Sequence, residues 1–347
     1  MIEFAPPLRL NLDSDALVSN WRALDALSGA ARAGAAVKAN GYGLGARAVV
    51  ARLRDAGCRD FFVAHWGEAA ELADILPAEW ISVLNGISAD DIAAVKALGA
   101  IPVLSTPKQV ALWRQADGGR CHVMLDSGIN RLGLAPDQLS DAQLHGLEID
   151  ILMSHLASAD EDVQQNARQL TIFADARSHI KAKRYSLANS AGIMLGSDYH
   201  FDLTRPGLSL YGGLARREMA SLIKPVVAIS ARLLQVRDVP AGAAVGYNAT
   251  HVCKQATRVG TISIGYADGY LRAFSGTGSA KSGEQALPVI GRVSMDLVTL
   301  DLNAAPELKE GEWVQIDYDL PTASAQSGLS QYELLTNLGS RFERIWR

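Results

Sequence analysis

The chain has 347 residues, 48% hydrophobic, 20% charged and 6% aromatic, a composition that excludes a disordered or low-complexity polymer. Its 33 basic residues against 37 acidic ones leave a net charge of −4, without the basic excess that a dedicated nucleic-acid binder carries. The opening segment MIEFAPPLRLNLDSD is acidic early and has no apolar stretch of signal-peptide length, and no apolar run approaches the ~20 residues that span a bilayer. Three widely spaced cysteines, Cys58, Cys121 and Cys253, suit a reducing cytosol and offer neither a disulfide framework nor a zinc site. A cytoplasmic protein with no membrane partner, no nucleic-acid partner and no metal is expected.

In chain order, residues 19–24 read as the first helix. Short apolar runs then recur at residues 35–37, 61–64, 81–84, 101–104, 122–125, 149–153, 185–187 and 208–210, each brief enough for a strand buried on both faces. Helical stretches lie between them. One opens on Ser88 as a hydroxyl cap, one on Thr106 followed by Pro107 at the first helical position, and one runs over residues 161–179. Eight alternating units close most naturally into a (β/α)8 barrel. An open doubly wound sheet is the alternative, but no G-x-G-x-x-G turn follows the first run.

After Gly213 the texture changes to β-branched or alternating runs at residues 226–237, 258–264, 287–293 and 297–302, separated by Pro- and Gly-containing turns. At this length two domains are the default. The expected division is a barrel over residues 1–222 and a C-terminal all-β domain over 223–347.

The first barrel run ends in Val37-Lys38-Ala39-Asn40-Gly41-Tyr42-Gly43. A lysine at the C-terminal end of a barrel strand points into the mouth where such barrels keep their active sites. Two readings stand: a snorkelling lysine with its ammonium in water, or a partly buried amine made nucleophilic for Schiff-base chemistry. Around the ends of the last two runs lie Ala188-Asn189-Ser190-Ala191-Gly192 and Thr204-Arg205-Pro206-Gly207-Leu208. These are common turn sequences, but barrels often bind phosphate in the loops after strands 7 and 8, so jointly with Lys38 they describe a lysine facing a phosphate site.

Five segments carry a resemblance: the Lys38 motif, Leu125-Asp-Ser-Gly-Ile-Asn-Arg131-Leu-Gly, Arg205-Pro-Gly-Leu-Ser-Leu-Tyr-Gly, Gly265-Tyr266-Ala-Asp268-Gly, and Gly291-Arg-Val-Ser-Met295-Asp296. In this order and spacing the sequence resembles the alanine racemases, pyridoxal-phosphate enzymes with a barrel and a C-terminal β domain. The resemblance implies that Lys38 carries the cofactor and is one base, and that Tyr266, delivered by the partner subunit of a homodimer with shared active sites, is the other. It implies that Arg205 faces the pyridine nitrogen and that His155 lies against the cofactor ring. Tyr42, Asn189, Ser190, Gly207 and Leu208 would complete the cofactor site. Arg131 and the Met295 amide would bind the substrate carboxylate. A guanidinium cannot give up its proton, so the ring nitrogen facing Arg205 stays unprotonated and transamination is suppressed. A free tyrosine titrates near 10, so a phenolate-like role for Tyr266 needs cationic neighbours.

Two positions depart from the family pattern. Many relatives carry a modified lysine seven residues before the arginine matching Arg131, where Met124 stands here, and Asn130 replaces a frequent glycine. The expectation is that Asn130 or a bound anion steadies Arg131. Some relatives place a phosphate-binding tyrosine where Ser340 falls, which leaves a wider entrance. The expected activity is racemisation of L- and D-alanine, serving peptidoglycan precursors or alanine breakdown. A racemase for larger amino acids and a non-catalytic pyridoxal-phosphate carrier are the alternatives. Arg205 and Tyr266 argue against a barrel decarboxylase, and residues 224–347 argue against a carrier, which lacks the β domain.

Overall fold

The computed structural model describes residues 5–140 and 144–347. The chain divides into two compact units, Ala16–Lys224 and the residues up to Asp15 joined by Pro225–Arg347. The first strand, Leu8–Leu12, expected with the barrel, therefore groups with the C-terminal unit, and the second division falls two residues beyond the expected 222.

In the larger unit seven parallel strands follow one another: Ala35–Ala36, Phe61–Val63, Ile81–Val83, Ile101–Leu104, Arg120–Met124, Glu148–Met153 and Arg184–Ser186. Most bury nearly every side chain, as strands wrapped by helices do, which is why they read as continuous apolar runs. The eighth strand is Leu203–Thr204, parallel to Arg32–Ala33. Hydrogen bonds from Arg32, Gly34 and Ala36 N–H groups to the carbonyls of Asp202, Thr204 and Pro206 join it to the first strand. Those from Asp202 and Arg205 to Tyr185 and Ala188 join it to the seventh and close the ring.

The run at 208–210, expected to be the eighth strand, is instead part of a 3-10 turn, Leu208–Tyr211. Pro206 lacks a donor, and the N–H groups of Gly207 and Ser209 both turn to Ser190 Oγ, at 2.9 and 3.3 Å, instead of to a neighbouring strand. The segment is apolar because it is buried, not because it is extended.

The helix after Thr106 starts as expected: its hydroxyl accepts the Gln109 N–H at 3.1 Å and Pro107 occupies the first position. The helix expected from Ser88 begins only at Ile92, because the Ser88 hydroxyl donates to Asp91 Oδ2 at 2.6 Å. Ser14–Leu27 and Gln164–His179 fill the other expected helices.

The second unit is built on an eight-stranded, largely antiparallel sheet. Its long strand Val227–Val239 pairs with Leu8–Leu12 and Trp313–Ile316 along its first half and, with a register shift between Leu233 and Gln235, with Thr257–Ile262 along its second. The shift is an irregularity inside the pairing with Thr257–Ile262, which starts at Leu233 opposite Ile262 and resumes at Gln235 opposite Thr261. Two short helices join the sheet, Leu320–Ser327 capped by Asp319 and Gln331–Thr336 with a Ser330/Glu333 capping box. Among the described residues no helix is long and apolar enough to cross a membrane, and no group of three or more His, Cys, Asp or Glu residues could hold a metal ion.

Candidate active site

Lys38 leaves the C-terminal end of the first barrel strand and enters a turn of left-handed helix. Ala39, Asn40, Gly41 and Tyr42 have φ of 53°, 54°, 62° and 53°. Each non-glycine residue in that region costs about 1–2 kcal/mol, so the turn persists only because its surroundings fix it. The Glu68 carboxylate accepts the Ala39 N–H at 2.6 Å and the Ala64 N–H at 2.7 Å. Asn40 Oδ1 accepts the Ala46 N–H at 2.9 Å. Tyr42 stacks on Tyr211 with ring centroids 4.6 Å apart, and the Tyr211 hydroxyl donates to the Ala36 carbonyl at 2.8 Å. Lys38 therefore stands on a clamped backbone. Burial, and then Arg131, lower the basicity of its amine, opposed in part by Glu68. A lysine so perturbed spends more of its time neutral and nucleophilic.

Arg205 and His155 complete the same mouth. His155 is pushed down to about 3 by burial and then by the charges of Arg205, Arg131 and Lys38, so it is neutral among three cations. The Arg205 guanidinium is buried, donates to Ser186 Oγ and to the Ser154 carbonyl, and makes no ion pair with any described residue. Burial lowers it to about 10, leaving it charged at neutral pH. A buried cation without a counter-ion is expensive, so its retention points to an acceptor that arrives with a ligand. Gln169 braces the strand ends around it, donating to Ser127 Oγ and to the His155 carbonyl, each at 3.0 Å.

Arg131 is exposed on a loop organised by Asp126, whose Oδ1 accepts the N–H groups of Gly128, Ile129 and Asn130 at 2.9, 3.0 and 3.1 Å. Asn130 itself has φ 55°. Among the described residues its side chain makes no hydrogen bond, so it does not steady Arg131. Asparagine tolerates this left-handed region best among the non-glycine residues. Met124 is buried core.

Polar groups gather at Gly207. Its N–H donates to Ser190 Oγ, and a methyl group there would lie 2.3 Å from the Tyr42 hydroxyl oxygen. Asn189 Oδ1 accepts the Gly192 N–H at 2.9 Å, shaping the adjacent turn, and Leu208 is buried behind it.

Tyr266 and Met295 belong to the other unit, where two backbone bonds stitch their turns together: Tyr266 N–H to the Ser294 carbonyl and Ala267 N–H to the Met295 carbonyl, both 3.0 Å. Arg272 lies over the Tyr266 ring, 5.1 Å from its centroid, a cationic neighbour that no sequence motif announced. Ser340 is exposed on this unit. Glu68 and Arg272 carried no sequence signal, whereas Asp126, ahead of Ser127-Gly128, is a recognisable turn-forming aspartate.

The alanine racemase N-terminal domain model matches residues 12–215 and the alanine racemase C-terminal domain model residues 226–346. An alanine racemase of Methylobacterium nodulans is 42% identical, with 97% of this chain and 95% of the relative covered. A catabolic alanine racemase of Agrobacterium fabrum is 41% identical over 97% of this chain and 91% of its own. The crystal structure of an alanine racemase from Bartonella henselae with covalently bound pyridoxal phosphate superposes with a TM-score of 0.91 at 34% identity, covering 99% of this chain and all of that one.

Proposed function

The chain belongs to the alanine racemase family, and we propose that it interconverts L- and D-alanine by passing the Cα proton between two bases, Lys38 on one face and Tyr266 on the other. Pyridoxal phosphate is the cofactor of this activity. The residues of the barrel mouth fit it: a deprotonatable amine at Lys38, the Tyr42 and Ser190 hydroxyls beside Gly207 for a phosphate, and the buried Arg205 guanidinium, which makes no ion pair with any described residue, for a ring nitrogen. When bound, the cofactor supplies the electron sink that makes the Cα proton acidic.

The single observation that carries this reading is the electrostatic meeting of Lys38, Arg131 and Arg205 at His155, four residues from separate stretches of sequence. Arg131 offers a planar guanidinium suited to a carboxylate, and the Met295 N–H, which has no acceptor among the described residues, is a second donor for it. Lys38, with its lowered basicity, accepts the Cα proton on its side or returns it. Tyr266 does the converse on the other side, and holding both bases in place is what allows inversion. Among the described residues no carboxylate pairs with Arg205, which favours plain reprotonation at Cα over reactions that need a protonated ring.

The enzyme acts as a homodimer in which Lys38 works with the partner subunit's Tyr266. Supporting this, Tyr247, Val252, Met295 and Leu297 of the smaller unit are exposed at 68%, 52%, 53% and 41%, an apolar set suited to burial in an assembly. The buried free thiols of Cys58, Cys121 and Cys253 support a reducing, cytoplasmic setting. Borohydride reduction of the cofactor-loaded protein followed by peptide mapping tests the assignment. The label belongs on Lys38, and a label on any other lysine overturns it.

A further inference from the structure

We propose that Arg341 is a positioning residue for racemisation, holding the Tyr266 turn and the Met295 turn in one rigid block; the inference rests on the proposed roles of Tyr266 and Met295. Its guanidinium bridges two carboxylates, Nε to Asp268 Oδ1 at 2.6 Å and one terminal nitrogen to Asp296 Oδ1 at 2.7 Å. Asp268 closes the Tyr266 turn and Asp296 follows Met295, so this one side chain spans both segments.

The inner arm is built into the turn. Asp268 is buried, and its Oδ2 accepts the Gly265 N–H at 3.0 Å, which fixes the residue immediately before Tyr266. A buried carboxylate needs a compensating partner, and Arg341 is the ion pair it makes. Gly265 permits the two turns to touch: a Cβ there would lie 2.3 Å from the Met295 carbonyl oxygen. Arg341 itself is anchored, since the Gly339 N–H donates to the Asp268 carbonyl at 3.3 Å and the strand Glu343–Trp346 that follows runs parallel to Leu8–Leu12.

The outer arm reaches across. Asp296 and Arg341 are each about half exposed, so this contact adds little to global stability. Its consequence is geometric. The backbone bonds from Tyr266 and Ala267 align the turns locally, and the Asp268–Arg341–Asp296 bridge stops one turn sliding over the other. A phenol that moves a proton at Cα and an amide that grips the same molecule's carboxylate must keep a fixed separation, and displacement of about 1 Å costs up to ~10²-fold in rate.

The test uses the pyridoxal-phosphate-loaded enzyme with Arg341→Met, Arg341→Lys and Asp296→Asn, and Tyr266→Phe alongside. Arg341→Met is expected to lower kcat roughly 10- to 100-fold and to raise KM for alanine several-fold, with Arg341→Lys recovering part of both. With alanine deuterated at Cα, the isotope effect on kcat should rise only in the direction in which Tyr266 removes the proton, because Lys38 is untouched. Independently of activity, amide hydrogen exchange should accelerate together in peptides covering residues 265–269 and 293–297, while the long strand Val227–Val239 keeps its protection. Should Arg341→Met fail to fold, Asp296→Asn decides, since it removes only the exposed arm. Unchanged exchange in both peptides with kcat and KM within about twofold overturns the clamp. If Tyr266→Phe is equally silent, the underlying reading of Tyr266 fails instead; if Tyr266→Phe is slow and the Arg341 and Asp296 variants are not, the clamp alone fails.

Discussion

The backbone at Gly207 lies against the Tyr42 side chain so closely that a Cβ would stand 2.3 Å from the phenolic oxygen. The loop after the eighth strand and the left-handed turn after Lys38 are thereby fitted to each other, with Tyr42 stacked on Tyr211 behind them. Gly207→Ala must push Tyr42 off that stack. Overpacking costs about 1–3 kcal/mol of stability, and because Tyr42 belongs to the proposed cofactor site, displacing it should also weaken the affinity for pyridoxal phosphate. Spectroscopic titration of the apoprotein measures it, and an unaltered Kd would show that Tyr42 yields freely.

Asn130 occupies the left-handed region without using its side chain. Asn130→Gly should leave KM for alanine and the thermal midpoint unchanged, whereas Asn130→Val, β-branched at φ 55°, should raise KM by displacing Arg131 and lower stability by about 1–3 kcal/mol. A rise in KM with glycine equal to that with valine would return the role to the amide group.

The two-base reading makes a complementation prediction. Tyr266→Phe should retain the fold and lose roughly 10²–10⁴ of the racemisation rate, and Lys38→Ala should lose both activity and the reducible adduct. Mixing the two proteins under subunit exchange should restore activity at one of the two sites of each heterodimer. Exchange verified by mass, with no recovery of circular-dichroism-detected racemisation, would show that each chain supplies both bases to its own site.

His122, deep in the barrel, predicts a pH dependence of stability. Its Nδ1 accepts the Ile151 N–H at 3.2 Å and its Nε2 lies 3.0 Å from Ser82 Oγ, so the ring is neutral with its proton on Nε2. Burial pushes it from 6.5 to about 3. The unfolded chain therefore takes up a proton that the native state refuses, and stability complete above pH ~6.5 is lost as pH falls toward 3. At pH 5 this single group should account for about 2 kcal/mol, read as the difference in urea-unfolding free energy between pH 7 and 5 that His122→Gln abolishes. An equal pH dependence in His122→Gln would place the loss elsewhere.

The sequence by itself determined the first seven barrel strands, because a strand buried on both faces has to be a short apolar run between turns, and that pattern is local. It made Lys38, Arg131, Arg205, Tyr266 and Met295 legible as candidates, because each sits in a motif whose glycines and turn residues are contiguous with it. It also determined the Thr106 cap, a contact made within one helical turn. Tertiary structure alone decided the eighth strand: Leu203–Thr204 is two residues long and is recognised only by the carbonyls it offers to Arg32, Gly34 and their neighbours, while the more apolar run at 208–210 is buried without being extended. Leu8–Leu12 alternates legibly as a strand, yet its partners, Val227–Val239 and Glu343–Trp346, lie far along the chain, so nothing local assigned it to the second unit. The same holds for the groups that support the chemistry. Glu68 under the Lys38 turn, Arg272 over Tyr266, and Arg341 between Asp268 and Asp296 act across separations that leave no period or motif in the sequence, because an ion pair or a ring contact depends on where two side chains meet and not on what stands beside either of them.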